Sequence, residues 1–261
     1  MARVVAVANQ KGGVGKTTTS VNVAAGLSQA GKPVLLVDLD PQGNATMGSG
    51  IDKRKVSRTV YHVLLGLGDI AAIRVRSESG GYDLIPANRD LAGAEVELVD
   101  LPNREGRLRS ALERLAAEYE FVLIDCPPSL SLLTLNAFAA ADEVLIPMQC
   151  EYYALEGLSD LVGTIKRVRA NINPRLEIAG LLRTMYDPRN TLSHQVSQQL
   201  EEHFGEKVYR TLVPRNVRLA EAPSFGAPAV IWDRASKGAQ AYLALADEIL
   251  ARAGVVNDRA A

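Results

Sequence analysis

An apolar stretch, Arg3 to Ala8, runs directly into the glycine-rich segment NQKGGVGKTTTS at Asn9–Ser20, and a second apolar stretch, PVLLVD, follows at Pro33–Asp38. That order reads as strand, glycine loop, helix (Thr17–Ala30, closed by Gly31), strand, and it constrains the fold more than any other feature of the chain. The strands carry almost no polar interruption, so both their faces need cover, which helices on two sides of a mostly parallel sheet provide. The rhythm then repeats. A helix at Arg107–Ala117 leads into the strand FVLID, and Leu132–Ala141 reads as a helix before the strand EVLIPM. A helix at Gly157–Ala170 precedes a strand at Glu177–Leu182, VYRTLVP is a further strand, and Ala239–Ala253 is the closing helix. Weaker elements, including YDLIPA at Tyr82–Ala87, lie between. The expectation is a three-layer α/β fold with seven or eight strands in a largely parallel sheet. With 261 residues, 47% of them hydrophobic, the chain has material for one such domain, residues 1–261, frayed from about Gly254 onward.

Several classes are excluded. No apolar run approaches the roughly 18 residues of a membrane span, and the N-terminus enters the motif without a signal sequence, so a cytoplasmic protein is expected. Cys126 and Cys150 fit neither a metal-ligand spacing nor a disulfide framework and read as buried reduced thiols. His62, His194 and His203 show no metal spacing, and the lone Trp232 reads as a packing residue. A formal net charge of −1 offers no global attraction for nucleic acid, so DNA binding would need a local basic face or one assembled by dimerisation.

The glycine segment closes as G-x-x-x-x-G-K-[ST] does, with Gln10 where that pattern has glycine. The motif marks a P-loop NTPase fold. Gly12, Gly13 and Gly15, with Val14 between them, let backbone N–H groups converge on phosphate oxygens at the positive end of the following helix. Lys16 is expected to bridge the β- and γ-phosphates, the Thr17 hydroxyl to ligate magnesium, and Thr18 to reach the α-phosphate, making ATP and Mg2+ the expected ligands. Asp125 ends a strand, where a carboxylate can hold the ion or simply cap the turn at Pro127 and Pro128. Asp38 and Asp40 end another. Either they work, Asp40 orienting the attacking water and Asp38 supporting the magnesium shell, or they are solvated turn acids before Pro41. Asn44 and Thr46 lie in the same loop. Lys11, a second lysine where the loop needs one, has no assignment from spacing alone.

Five segments together carry a resemblance: KGGVGKTT at Lys11–Thr18, DLDPQGNAT at Asp38–Thr46, DCPPS at Asp125–Ser129, CEYYALEG at Cys150–Gly157 and PRNVRLAEAPSFG at Pro214–Gly226. In this order they resemble the ParA/Soj-type chromosome or plasmid partition ATPases, deviant Walker A proteins of the MinD/ParA superfamily, over Arg3 to about Leu250. The resemblance implies that Lys11 crosses the interface of an ATP-sandwich homodimer to the partner's nucleotide, with Gly12 where the subunits approach. It implies Pro214 and Asn216 near the adenine base, and Arg189 and Arg218 as nonspecific DNA contacts, with Arg183 and Arg215 as weaker members of that face. It further implies slow basal hydrolysis, stimulation by a ParB/Spo0J-like centromere-binding protein, and association with the nucleoid. CEYYALEG is given no catalytic work.

Two relatives of the wider fold are less similar. A MinD-like protein ends in a basic amphipathic membrane helix, whereas QAYLALADEILARAGVVNDRAA sets Asp247, Glu248 and Asp258 against Arg252 and Arg259, so no membrane partner is expected. A nitrogenase-iron-protein-like reductase needs cluster cysteines that Cys126 and Cys150 do not match. Nor is autorepression through operator binding expected, because few residues precede the first strand.

Overall fold

The structure, a computed structural model, describes residues 2–152 and 154–255. Its centre is one eight-stranded sheet: β1 (Arg3–Val7), β2 (Val34–Asp38), β3 (Val75–Ser77), β4 (Tyr82–Ile85), β5 (Phe121–Asp125), β6 (Glu143–Gln149), β7 (Glu177–Tyr186) and β8 (Val208–Pro214), in the order β3-β4-β2-β5-β1-β6-β7-β8. Only β3 runs antiparallel, to β4. The residues of β1 alternate between two apolar cores, Val4 and Ala6 on one face, Val5 and Val7 on the other, and β2 and β5 do the same. Helices therefore cover both faces, as continuous apolar strands require.

From β1 the chain crosses to β2 on one side, and from β5 it crosses back to β6 on the other, so a crevice opens at the C-terminal ends of the central strands. Register makes those ends level, with Asp125 opposite both Val7 and Asp38. The helix Lys16–Gln29 starts there and packs on the C-terminal helix Lys237–Arg252, where Gly26 lies against Ala246.

Two sequence expectations are corrected, and one helix is added. The helix expected over Arg107–Ala117 ends at Leu112, because the chain tightens into i→i+3 turns such as Leu115 N–H to Leu112 O before entering β5. β7 does not stop at Leu182 but continues through the polar Arg183 and Thr184, both buried and partnered. A helix not anticipated, Thr191–Phe204, starts where the Asn190 side chain accepts from Leu192 and Ser193 N–H; its sparse apolar residues hide the period. The expected frayed tail lies partly outside the described residues, from 256 onward. No described helix is long and apolar enough to cross a membrane.

Candidate functional site

The loop between β1 and the first helix needs its glycines for backbone reasons. Gly13 and Gly15 hold φ of 73° and 88°, where a side chain would be strained. A Cβ on Gly12, by contrast, would meet nothing within 4 Å, so no contact inside the chain calls for glycine there. The first turn of the helix carries no acidic residue, leaving its positive end free for an anion. Lys16 is buried and bonds back to the Lys11 carbonyl at 3.0 Å; burial lowers its pKa, opposed by Asp125.

Asp125 is fully buried at the end of β5. Its Oδ2 accepts from Thr17 Oγ1 at 2.8 Å and its Oδ1 from Ser20 Oγ at 2.8 Å. Beside it Asp38, also fully buried, accepts from Thr46 N–H and Oγ1, both at 2.7 Å, and from Asp40 N–H at 3.2 Å. Burial pushes both carboxyls above their ordinary range, and the charge of Asp38 pushes Asp125 further. Two buried acids level on adjacent strands, next to one lysine, leave the site short of positive charge. That deficit and the Thr17 hydroxyl suit a hard divalent ion which keeps waters and phosphate oxygens as its other ligands. Among the described residues no group of three or more His, Cys, Asp or Glu could hold a metal, so an ion here would depend on the nucleotide.

Asp40 is 8% exposed, and its Oδ1 accepts from Gln42 N–H at 2.9 Å in the turn through Pro41. It is thus a turn acid, as one sequence reading had it, but a buried one whose Oδ2 accepts no hydrogen bond from the described residues. Lys11 sits outside the cradle with its side chain 45% exposed, and its Nζ meets Glu151 Oε2 at 2.5 Å. Glu151, in the segment given no catalytic work, is therefore a neighbour of the site.

A cavity of about 300 Å³ brings Gly15 and Thr18 together with Met185, Pro214, Asn216 and Tyr242. Its mixed apolar and amide lining suits a purine base. Asn216 uses its Oδ1 to cap the helix Val217–Glu221 through Arg218 N–H at 2.9 Å. Met185 has φ 49°, unusual for a residue with a side chain. Spacing missed three supports: Ser20 on Asp125, Thr184 Oγ1 on the Val14 carbonyl at 2.8 Å, and Gln149 Nε2 on the Gly13 carbonyl at 3.1 Å. The signal available for the last two is a polar residue at or near the end of an apolar strand, Gln149 closing β6 and Thr184 late in β7.

The arginines divide. Arg189, 88% exposed, pairs with Asp187 through two bonds of 3.0 and 2.9 Å, and the charge of Arg215 also reaches Asp187. Arg218 meets Glu221 at 2.9 Å and Asp233 at 3.3 Å over the Trp232 ring, which itself stacks on Phe225. Trp232 is thus an edge packing residue. Arg183 is removed from any DNA face: it is 4% exposed and bonds Ser197, Glu201 and the Tyr209 carbonyl. Cys126 and Cys150 are buried and free.

Comparison with known proteins decides the family. Residues 2–178 match the model of an AAA domain, AAA_31. The chromosome partitioning protein ParA of Caulobacter vibrioides is 53% identical over 96% of this chain and 94% of its own, and the sporulation initiation inhibitor protein Soj of Bacillus subtilis is 53% identical over 96% and 99%. The chain belongs to the ParA/Soj family. A solved structure from Mycobacterium smegmatis, described as cobyrinic acid a,c-diamide synthase with bound ADP and magnesium, superposes with a TM-score of 0.85 at 42% identity, covering 97% of this chain and 96% of that one. This ParA/Soj protein is accordingly an ATPase that uses magnesium, built on the P-loop fold that its glycine segment announced.

Proposed function

We propose that this partition ATPase is a DNA-bound switch. Mg·ATP closes two copies into a sandwich homodimer that binds duplex DNA without reading sequence, and hydrolysis to ADP and phosphate, stimulated by a ParB/Spo0J-like centromere-binding protein, reopens it. The observation that carries this reading is the placement of Lys11. Lys16 already occupies the cation position inside the cradle, whereas Lys11 stands half exposed on its rim beside an unobstructed Gly12. A lysine so placed can reach a second subunit's phosphates, tying assembly to the γ-phosphate as an arginine finger does.

Within one subunit, the loop amides and Lys16 bind and neutralise the phosphates, and the free Oδ2 of Asp40 can accept a proton of the attacking water. Thr17 and Asp125 would hold magnesium, with Asp38 supporting its shell; the ion supplies charge neutralisation on the transferred phosphoryl group. The exposed Arg189, Arg215 and Arg218 offer phosphate contacts once doubled by dimerisation. The carboxylates that pair with Arg189 and Arg218 form surface pairs, which a duplex displaces readily. A cytoplasmic protein of this kind would sit on the nucleoid.

The test is binding to nonspecific duplex DNA without nucleotide, with ADP and with ATP, at one moderate salt concentration. Binding is expected only with ATP, to weaken with added salt, and to vanish in Lys11→Ala and Arg218→Glu. Equal binding in all three states, or none in any, defeats the proposal.

A further inference from the structure

The turn that carries Asp40 is seated by one buried hydroxyl. Thr46 opens no surface to solvent, so it cannot touch a bound nucleotide directly. Its Oγ1 donates to Asp38 Oδ2 at 2.7 Å and accepts from Ala87 N–H at 3.0 Å, bridging the ends of β2 and β4. Its own N–H donates to the same Oδ2 at 2.7 Å, while Asp38 Oδ1 takes the Asp40 N–H at 3.2 Å. Between them Gly43 holds φ 60° with its vacant Cβ direction 2.7 Å from the Ala87 carbonyl, so the turn has little room to shift on that side.

We propose that Thr46 is a positioning residue for ATP hydrolysis: through Asp38 it sets the place of Asp40. This rests on the reading of Asp40 as the group that orients the attacking water. Without the hydroxyl, Asp38 Oδ2 keeps a single bond and its carboxylate can rotate about Cβ–Cγ. The partner of Asp40 N–H then moves with it. A displacement near 1 Å at a water-orienting carboxylate costs on the order of 100-fold in rate, while contacts that bind the triphosphate stay where they are.

Steady-state kinetics of the full chain, normalised to Mg·ATP-binding sites, test this with Thr46→Val, Thr46→Ser and Asp40→Ala. Thr46→Val keeps the volume and the backbone bond; its kcat should fall about 10- to 100-fold with KM for ATP within about twofold, and Thr46→Ser should restore most of the turnover. Unchanged kcat in Thr46→Val, a loss carried by KM, or a serine variant as slow as the valine would overturn the proposal. Asp40→Ala separates the two layers. If it hydrolyses at the parent rate, the reading of Asp40 fails and this inference with it; if it is inactive while Thr46→Val is normal, only the inference fails. Should Thr46→Val not fold, Thr46→Ala takes its place, with the same kcat-specific loss expected and a normal kcat as the refuting result.

Discussion

Gly26 stands where the first helix crosses the C-terminal helix, and adding one methyl there should reverse an ordinary rule. In an exposed helix interior Gly→Ala gains about 1 kcal/mol. Here the new Cβ would stand 2.9 Å from the Ala246 Cβ and 3.8 Å from the Tyr242 carbonyl. Ala246 is fully buried and its Cβ is fixed to the backbone, so no rotamer change relieves the contact. The helices must separate by several tenths of an ångström to restore a normal carbon–carbon distance, and overpacking of this kind costs about 1–3 kcal/mol. The net expectation for Gly26→Ala is a loss of about 1 kcal/mol, or about 2–4 °C in Tm. Separation also pulls on the 3.0 Å bond between Tyr242 and Thr19, close to Gly15, so weaker ATP binding should accompany it. A double-mutant cycle with Ala246→Gly, read by thermal denaturation, isolates the contact: the pair should be more stable than the sum of the single changes by about 1–3 kcal/mol. A Gly26→Ala protein that melts higher than the parent, or a strictly additive cycle, refutes the packing argument.

Three further outcomes are expected. Because Asp38 and Asp125 are raised in the folded protein, the native state binds more protons than the unfolded chain above the ordinary carboxylate range; metal-free stability should therefore fall as pH rises from about 4 toward neutrality, and Mg·ATP should flatten that slope in chemical denaturation. A metal-free protein that gains stability over the same interval would contradict it. Burial pushes the Cys150 thiol up to about 11 and Cys126 higher still, so a maleimide at pH 8 should leave the native protein unlabelled and modify both thiols once it is denatured. Trp232, the only tryptophan, lies under Arg218; if that arginine leaves Glu221 and Asp233 for DNA, indole fluorescence should change on ATP-dependent binding, and not in Arg218→Ala.

Much of this protein is local and therefore legible along the chain. The glycines, Lys16 and Thr17 act through backbone freedom and a helix start, properties of consecutive residues. Runs such as PVLLVD and FVLID announce buried strands because strands covered on both faces leave no place for polar groups. Elements fell where polar residues interrupt those runs for a partner distant in sequence: β7 continues through Arg183 because Ser197, Glu201 and Tyr209 satisfy its guanidinium, and through Thr184 because it holds Val14.

The division between sequence and tertiary structure runs through the acids. The sequence alone determined that Asp38 and Asp125 end strands near a phosphate loop, since each closes an apolar run, and that Asp40 follows Asp38 in the turn before Pro41. Only the fold decided their different surroundings. Strand order sets β2 beside β5 and puts Asp38 level with Asp125; the return of the loop then gives Asp38 to Thr46, leaves Asp125 to Thr17 and Ser20, and keeps one oxygen of Asp40 free of hydrogen bonds from the described residues. Those bonds join residues up to 108 positions apart, and no periodicity along the chain encodes such a meeting; it follows from which strand ends the sheet brings level.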